Sequence, residues 1–66
     1  MGKRIVIESR ILELPPFSRY RIGYLDGYTG QEARLPHDKE YGDGYEEGQT
    51  DDRMGMESKF DTEGHA

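Results

Sequence analysis

The apolar and polar residues divide the 66-residue chain into three stretches of different pattern. Residues 1–16 are rich in β-branched and other aliphatic side chains, densest at residues 5–7. Residues 17–53 place tyrosines, glycines and aliphatic side chains three and four positions apart, which is the period of a helix with one apolar side. Residues 54–66 show no period. The pattern predicts a small α+β or mainly α fold, with a strand-like N-terminal arm, a helical hairpin and a disordered, acidic C-terminal tail.

An eight-residue pattern, YxxGYxxG, occurs twice in the central stretch. The copies are residues 20–27 and 41–48, and each has an acid at its seventh position. Because a spacing of four is close to one helical turn, each copy can present a row of glycines beside tyrosines. Glycines allow two helix backbones to approach closely. We therefore predict two short helices packed through four glycines, which are Gly23, Gly27, Gly44 and Gly48.

Local sequence suggests where these helices begin and end. Ser18 is a suitable N-cap for the first helix, and Gly30 is a suitable C-terminal stop. Asp38 is the natural N-cap of a second helix that runs to about Arg53. An alternative exists, because Asp26-Gly27 and Asp43-Gly44 are Asp-Gly pairs of the kind that form tight hairpin turns. We favour helices, because recurrence every four residues has no purpose in a hairpin.

The N-terminal arm contains a strand-like segment at residues 4–8. A single strand is unstable alone, so it must pack on the helices, pair with a second copy in a homodimer, or join a partner's sheet. Our first expectation is an extended arm that covers a small core.

Composition limits the functions that the chain can perform. Hydrophobic residues make up 32% and charged residues 35% of the sequence, and there is no cysteine. The two histidines, His37 and His65, are too few and too far apart to indicate a metal site. No nucleophile with a base, no phosphate-binding loop and no long apolar run is present. We expect a cytoplasmic protein that is not an enzyme and uses no cofactor, metal or membrane.

Charge is distributed unequally between the two halves of the chain. The net charge is −5, but residues 1–37 contain six basic residues against four acidic ones. Residues 38–66 contain ten acidic residues against three basic ones. An acidic half repels a phosphate backbone and attracts basic protein surfaces.

Two candidate binding surfaces follow from this distribution. Arginine beside tyrosine can bind phosphate and stack on unpaired bases, although the tyrosines could equally fill the core. The basic and aromatic candidates are Arg19, Tyr20, Arg21, Tyr24, Tyr28 and Arg34. Rows of carboxylates can imitate nucleic acid and occupy a basic groove, although a solvated helix surface is the simpler explanation. The acidic candidates are Asp38, Asp43, Glu46, Glu47, Asp51 and Asp52.

The repeated motif resembles the ribosome modulation factor family. The similarity spans residues 20–52. Its first part is a GYxxGxxG helix, here Gly23-Tyr24-x-x-Gly27-x-x-Gly30, followed by a linker with a proline, here Pro36. Its last part is an aromatic-x-x-Gly-aromatic helix, here Tyr41-x-x-Gly44-Tyr45. The resemblance implies two short helices joined by a linker, and a regulatory protein that binds ribosomal components and dampens translation. The alternative hypothesis is an acidic inhibitor of the phage or mobile-element type, which blocks a host nucleic-acid enzyme by imitating nucleic acid.

Overall fold

The computed structural model describes residues 10–60 and contains two principal helices. Helix α1 spans Pro16–Tyr28 and helix α2 spans Lys39–Arg53. Residues 10–12 form a helical turn ahead of α1, and no strand occurs between residues 10 and 60. The prediction of a small, mostly helical fold is therefore confirmed. The strand predicted at residues 4–8, and the pairing of two copies that it would allow, lie outside the described residues.

The two helices begin in different ways. Proline residues open α1, with Pro15 at the N-cap and Pro16 at the first helical position. Proline suits this position because it has no N–H to satisfy and its φ is already helical. The predicted cap at Ser18 is wrong, since Ser18 lies inside the first turn. The predicted cap of α2 is confirmed, because the Asp38 carboxylate accepts the backbone N–H of Tyr41 at 2.9 Å.

Both helices end at a glycine with positive φ. The φ angle is 80° at Gly30 and 75° at Gly55, a region that glycine enters without steric cost. The residue after each glycine donates its N–H to the carbonyl five residues earlier, at 2.8 and 2.9 Å, which satisfies a terminal carbonyl of the helix. Asp26-Gly27 and Asp43-Gly44 both lie inside helices, so the hairpin-turn alternative is wrong.

Helices α1 and α2 run parallel, with both N-termini at the same end of the pair. Arg19, in the first turn of α1, pairs with the α2 cap Asp38 at 3.0 Å. At the opposite end Tyr28, the last residue of α1, donates its hydroxyl to the carbonyl of Met56 at 2.6 Å. A hairpin would instead place the start of α2 beside the end of α1. The predicted hairpin arrangement is therefore wrong.

The length of the connection permits this parallel arrangement. The 13 residues of α1 rise about 20 Å. Residues 29–38 form the connection, and ten extended residues can reach about 33 Å. The connection can thus return along the full length of α1. The glycine spacing did not distinguish a parallel pair from an antiparallel one.

The seam between the helices is formed by glycines and backbone carbonyls. Each of the four glycines at the fourth and eighth positions of the motif lies against the carbonyl of a tyrosine in the other copy. A Cβ at any of the four would lie 2.9 Å from that carbonyl carbon, which is inside van der Waals contact. The facing pairs are Gly23–Tyr41, Gly27–Tyr45, Gly44–Tyr20 and Gly48–Tyr24. The two copies therefore pack on each other with approximate two-fold symmetry.

A small apolar core adjoins the seam. Ile11, Leu35 and Tyr41 are buried together, with partly buried Ile22 and Ala33 packed against them. Ile11, which belongs to the stretch predicted as the arm, therefore lies in the core, and residues 10–12 around it are helical. The core combines residues from the arm, α1, the connection and α2, which ties all four segments together.

The segment after α2 folds back against the helices. The Phe60 ring lies edge-on to the ring of Tyr24, with centroids 5.3 Å apart, and the Lys59 N–H donates to the Tyr24 hydroxyl at 3.1 Å. Within the stretch predicted as a tail, residues 56–60 therefore contact the tyrosine hydroxyls and rings of α1. Residues 61–66 of that tail lie outside the described residues.

Candidate interaction surface

A buried network joins the seventh-position acid of the first motif copy to the second copy. We call Asp26, Arg34 and Tyr41 the buried network. Arg34 donates through Nε and Nη2 to the two carboxylate oxygens of Asp26, at 3.0 and 3.1 Å. The Tyr41 hydroxyl donates to Asp26 Oδ2 at 2.5 Å and accepts the backbone N–H of Arg34 at 2.9 Å. A bidentate pair of this kind fixes geometry as well as contributing energy.

The buried network changes the protonation properties of two of its members. Burial raises the pKa of the Tyr41 phenol to about 12, and the nearby Asp26 carboxylate adds to the shift. The hydrogen bonds to Asp26 raise the pKa of the Arg34 guanidinium above its usual value. Both shifts favour the state in which Tyr41 is a neutral donor and Arg34 is charged. The network is therefore a structural unit that remains intact at neutral pH.

A second, exposed network has the same arrangement, in which a tyrosine hydroxyl and a cation both bind one carboxylate. We call Tyr20, Glu47 and Lys59 the exposed network. Glu47 Oε1 accepts the Tyr20 hydroxyl at 2.5 Å and the Lys59 ammonium at 2.7 Å. The side chains of Lys59 and Glu47 are 52% and 48% exposed. Hydrogen bonds, first from Lys59 and then from Tyr20, lower the pKa of the Glu47 carboxyl below its usual value.

The two networks follow one sequence rule. In each, the first tyrosine of one motif copy binds the seventh-position acid of the other copy. The cation follows four residues after the glycine that ends a helix, as Arg34 follows Gly30 and Lys59 follows Gly55. The repeated motif identified both seventh-position acids from the sequence. It did not reveal Lys59 as a partner, although comparison of the positions after the two terminal glycines could have found it.

The predicted basic and aromatic residues do not form one continuous surface. The Arg19 side chain is only 16% exposed and pairs with Asp38 and with Glu40. Arg34 belongs to the buried network, and Tyr24 is completely buried. Of the three predicted arginines, Arg21 is exposed to solvent. The structure thus places two of the three arginines in internal ion pairs.

The predicted acidic residues also divide into two groups, those that contact α1, the start of α2 or Lys59 and those that face solvent. Asp38 caps α2, Glu47 belongs to the exposed network, and Asp51 accepts the Tyr24 hydroxyl at 2.5 Å. Asp43, which pairs with Lys39 at 2.8 Å, is exposed, as are two further acids of α2. We call the exposed group the outer acids: Asp43, Glu46 and Asp52. Carboxylates available to a partner are therefore fewer than the sequence indicated.

An aromatic groove that the sequence did not predict lies on α1. The rings of Phe17, Tyr20 and Tyr24 surround the Phe60 ring, all edge-on to it, with centroids 5.9, 6.1 and 5.3 Å away. Phe17 remains 64% exposed although it is a large apolar residue. Tyr28 stacks on Tyr24 at 5.9 Å and continues the row of rings. The predicted aromatic side chains therefore meet, but around the segment that follows α2.

Other kinds of site were sought in the same residues. Between residues 10 and 60, no group of three or more His, Cys, Asp or Glu side chains is arranged to hold a metal ion. Neither α1 nor α2 has the length and apolar character needed to cross a membrane. Comparison of the chain with protein-family models, with curated proteins and with solved structures found no match.

Proposed function

We propose that the protein is a small, non-enzymatic binding protein in which the exposed acids Asp43 and Glu46 of α2 dock on a basic surface of a host nucleic-acid enzyme and inhibit it. One observation supports this function over the basic alternative. Arg19 and Arg34 are engaged in partly buried ion pairs within the chain, whereas Glu46 is exposed and Asp43 is exposed beside Lys39, which is exposed as well. Exposed carboxylates are attracted to a basic groove that binds phosphates, and this attraction increases the rate at which the two proteins associate.

The side of α2 turned away from α1 is the proposed contact surface. Asp43 and Glu46 are three residues apart and therefore share one side of the helix. The seam glycines Gly44 and Gly48 lie on the opposite side, against α1. A partner can thus reach these carboxylates without separating the helices.

The first experiment is affinity capture from host lysate at low salt, followed by binding measurements on the purified partner. The test variant is Asp43→Asn/Glu46→Gln, and the matched control is Glu13→Gln/Glu57→Gln, which removes the same charge from exposed positions elsewhere. We expect the test variant to bind at least tenfold more weakly and the control to bind nearly as well as wild type. If both variants lost the same affinity, the cause would be the change in net charge. Docking through α2 would then be refuted.

A ribosome-directed function is the second candidate. It is supported by the resemblance of residues 20–52 to the ribosome modulation factor family, together with the helix pair that this resemblance implies. Of the arginines predicted to form the basic surface, Arg21 is the exposed one and the candidate contact to rRNA. We expect Arg21→Ala to reduce co-sedimentation with ribosomes, while Arg53→Ala, at the far end of α2, does not. Absence of the wild-type protein from every ribosomal fraction at low salt would exclude this candidate.

A further inference from the structure

The segment that occupies the aromatic groove makes both apolar and polar contacts. We call residues 56–60 the strap. The Phe60 ring fills the space between three rings of α1, while the neighbouring Lys59 ammonium reaches Glu47 at 2.7 Å. The Tyr24 hydroxyl accepts the Lys59 backbone N–H at 3.1 Å. The groove therefore recognises three features in sequence order: a backbone N–H, a cation and an aromatic ring.

The equivalent segment of the first half is held much more firmly. Arg34 and Leu35 occupy the corresponding positions after Gly30, and Leu35 is 8% exposed within the core. Phe60 is only half-buried, and Lys59 pairs with Glu47 on an exposed surface. Surface ion pairs contribute little to stability because solvent screens them. We therefore expect the strap to open more readily than its counterpart, while the two helices stay packed.

We propose that the groove formed by Phe17, Tyr20, Tyr24 and Glu47 is a docking site for a peptide segment of a partner protein that carries a basic residue followed by an aromatic one. The strap occupies this site in the free protein. A partner's Lys-Phe or Arg-Phe segment matches the groove because the carboxylate accepts the cation and the ring edges surround the aromatic side chain. Glu46, one of the outer acids, borders this site beside Glu47, but the inference rests on Glu47 and the rings of α1 and so does not depend on the proposed function.

The direct test empties the groove and offers a probe. The full chain with Lys59→Ala/Phe60→Ala is titrated with a labelled peptide of residues 55–60, GMESKF, and with the same peptide carrying alanines in place of its Lys and Phe. We expect the emptied variant to bind GMESKF at least tenfold more tightly than wild type does, and at least tenfold more tightly than it binds the alanine peptide. Equal binding of the two peptides by a variant whose circular dichroism remains helical would overturn the proposal.

A second measurement on the wild-type protein keeps the proposal testable if the variant does not fold. The Lys59 and Arg34 backbone N–H groups each donate to a tyrosine hydroxyl of the opposite half of the chain, Tyr24 at 3.1 Å and Tyr41 at 2.9 Å. Amide hydrogen exchange compares the opening of the two segments directly. We expect the protection factor at Lys59 to be at least tenfold lower than at Arg34. Equal protection would mean that the strap opens only when the whole protein unfolds, and a partner could not displace it.

Discussion

The buried and exposed networks show how one motif produces two different results. Both place a tyrosine hydroxyl and a cation on the seventh-position acid of the opposite copy. The Asp26 side chain is 10% exposed, whereas the Glu47 side chain is 48% exposed. A hydrogen bond to a buried charge contributes more than the same bond at the surface, because losing it leaves a desolvated group without a partner.

Because of this difference, one half of a very small protein stabilises the fold, while the other half holds a segment that a partner can replace. The first half uses its network to fix the connection against the core, where Leu35 and Tyr41 are buried. The second half uses an equivalent set of contacts to hold a segment on the surface. Chains of this size bury only about 60% of their unfolded surface, so one firmly held network is a large fraction of what stabilises the fold. The exposed network is correspondingly available for exchange with a partner.

The largest expected effect comes from the seam that both halves share. Gly23→Ala and Gly44→Ala each place a methyl group against a backbone carbonyl that cannot rotate away. We expect each to lower the free energy of unfolding by about 3 kcal/mol or more, the upper end of the range for overpacking. Urea denaturation followed by circular dichroism measures the loss. Similar losses for the two variants would show that the seam is symmetric.

Gly42→Ala is the matched control for the seam variants. Gly42 also lies in α2. A Cβ added at Gly42 would have no described atom within 4 Å other than those of its own helix turn. We expect the substitution to stabilise the protein by about 0.5–1 kcal/mol, because alanine favours a helix more than glycine does. If Gly23→Ala or Gly44→Ala behaved like Gly42→Ala, the close packing of the two backbones would be refuted.

The second prediction compares the acids of the two networks. We expect Asp26→Asn to lower the free energy of unfolding by about 2–3 kcal/mol, because Arg34 and Tyr41 lose a charged acceptor in a buried position. Glu47→Gln should cost less than about 1 kcal/mol, since its partners remain solvated. Chemical denaturation of both variants under one buffer condition measures the difference. Equal losses would mean that burial does not distinguish the two networks.

Much of the local structure was predictable from the sequence, because it depends on neighbouring residues. The Asp38 cap, the terminal Gly30 and the helical rather than hairpin state of both motif copies follow from spacing and residue type. The parallel direction was not predictable from the glycines, because glycine rows permit close approach in either direction. It depends on contacts between distant residues, such as Arg19 with Asp38.

The candidate surfaces were less predictable than the fold. Charge counting cannot tell an exposed arginine from one that binds an internal carboxylate, as Arg34 binds Asp26. The strap was missed for a related reason, because Lys59 and Phe60 lie in a stretch without any helical period. Their role depends on the rings of α1, which the sequence places more than thirty residues away.

The third prediction uses alkaline pH and a Tyr41 variant to test the buried network. The pKa of Tyr41 is about 12 in the folded protein, and that of an unfolded tyrosine is about 10. Because the folded pKa is the higher one, the stability contributed by neutral Tyr41 is complete below about pH 10 and is lost as pH rises through 12. We expect Tyr41→Phe to reduce the loss of stability over this window. Denaturation midpoints measured at intervals from pH 9 to 12 provide the test, and an unchanged pH dependence would contradict it.

The smallest expected effect concerns the different starts of the two helices. Asp38→Ala removes the cap of α2 and the partner of Arg19, so we expect a loss of about 1–2 kcal/mol in the free energy of unfolding. Asp38→Asn retains a capping oxygen and should lose less, because only the ion pair with Arg19 is weakened. Ser18→Ala should change stability by less than about 0.5 kcal/mol, since Ser18 lies inside the first turn of α1. Thermal denaturation of the three variants ranks these effects. If Ser18→Ala lowered the stability as much as Asp38→Ala does, Ser18 would be the cap of α1. That result would contradict the finding that α1 begins at proline residues, whereas α2 begins at a side-chain cap.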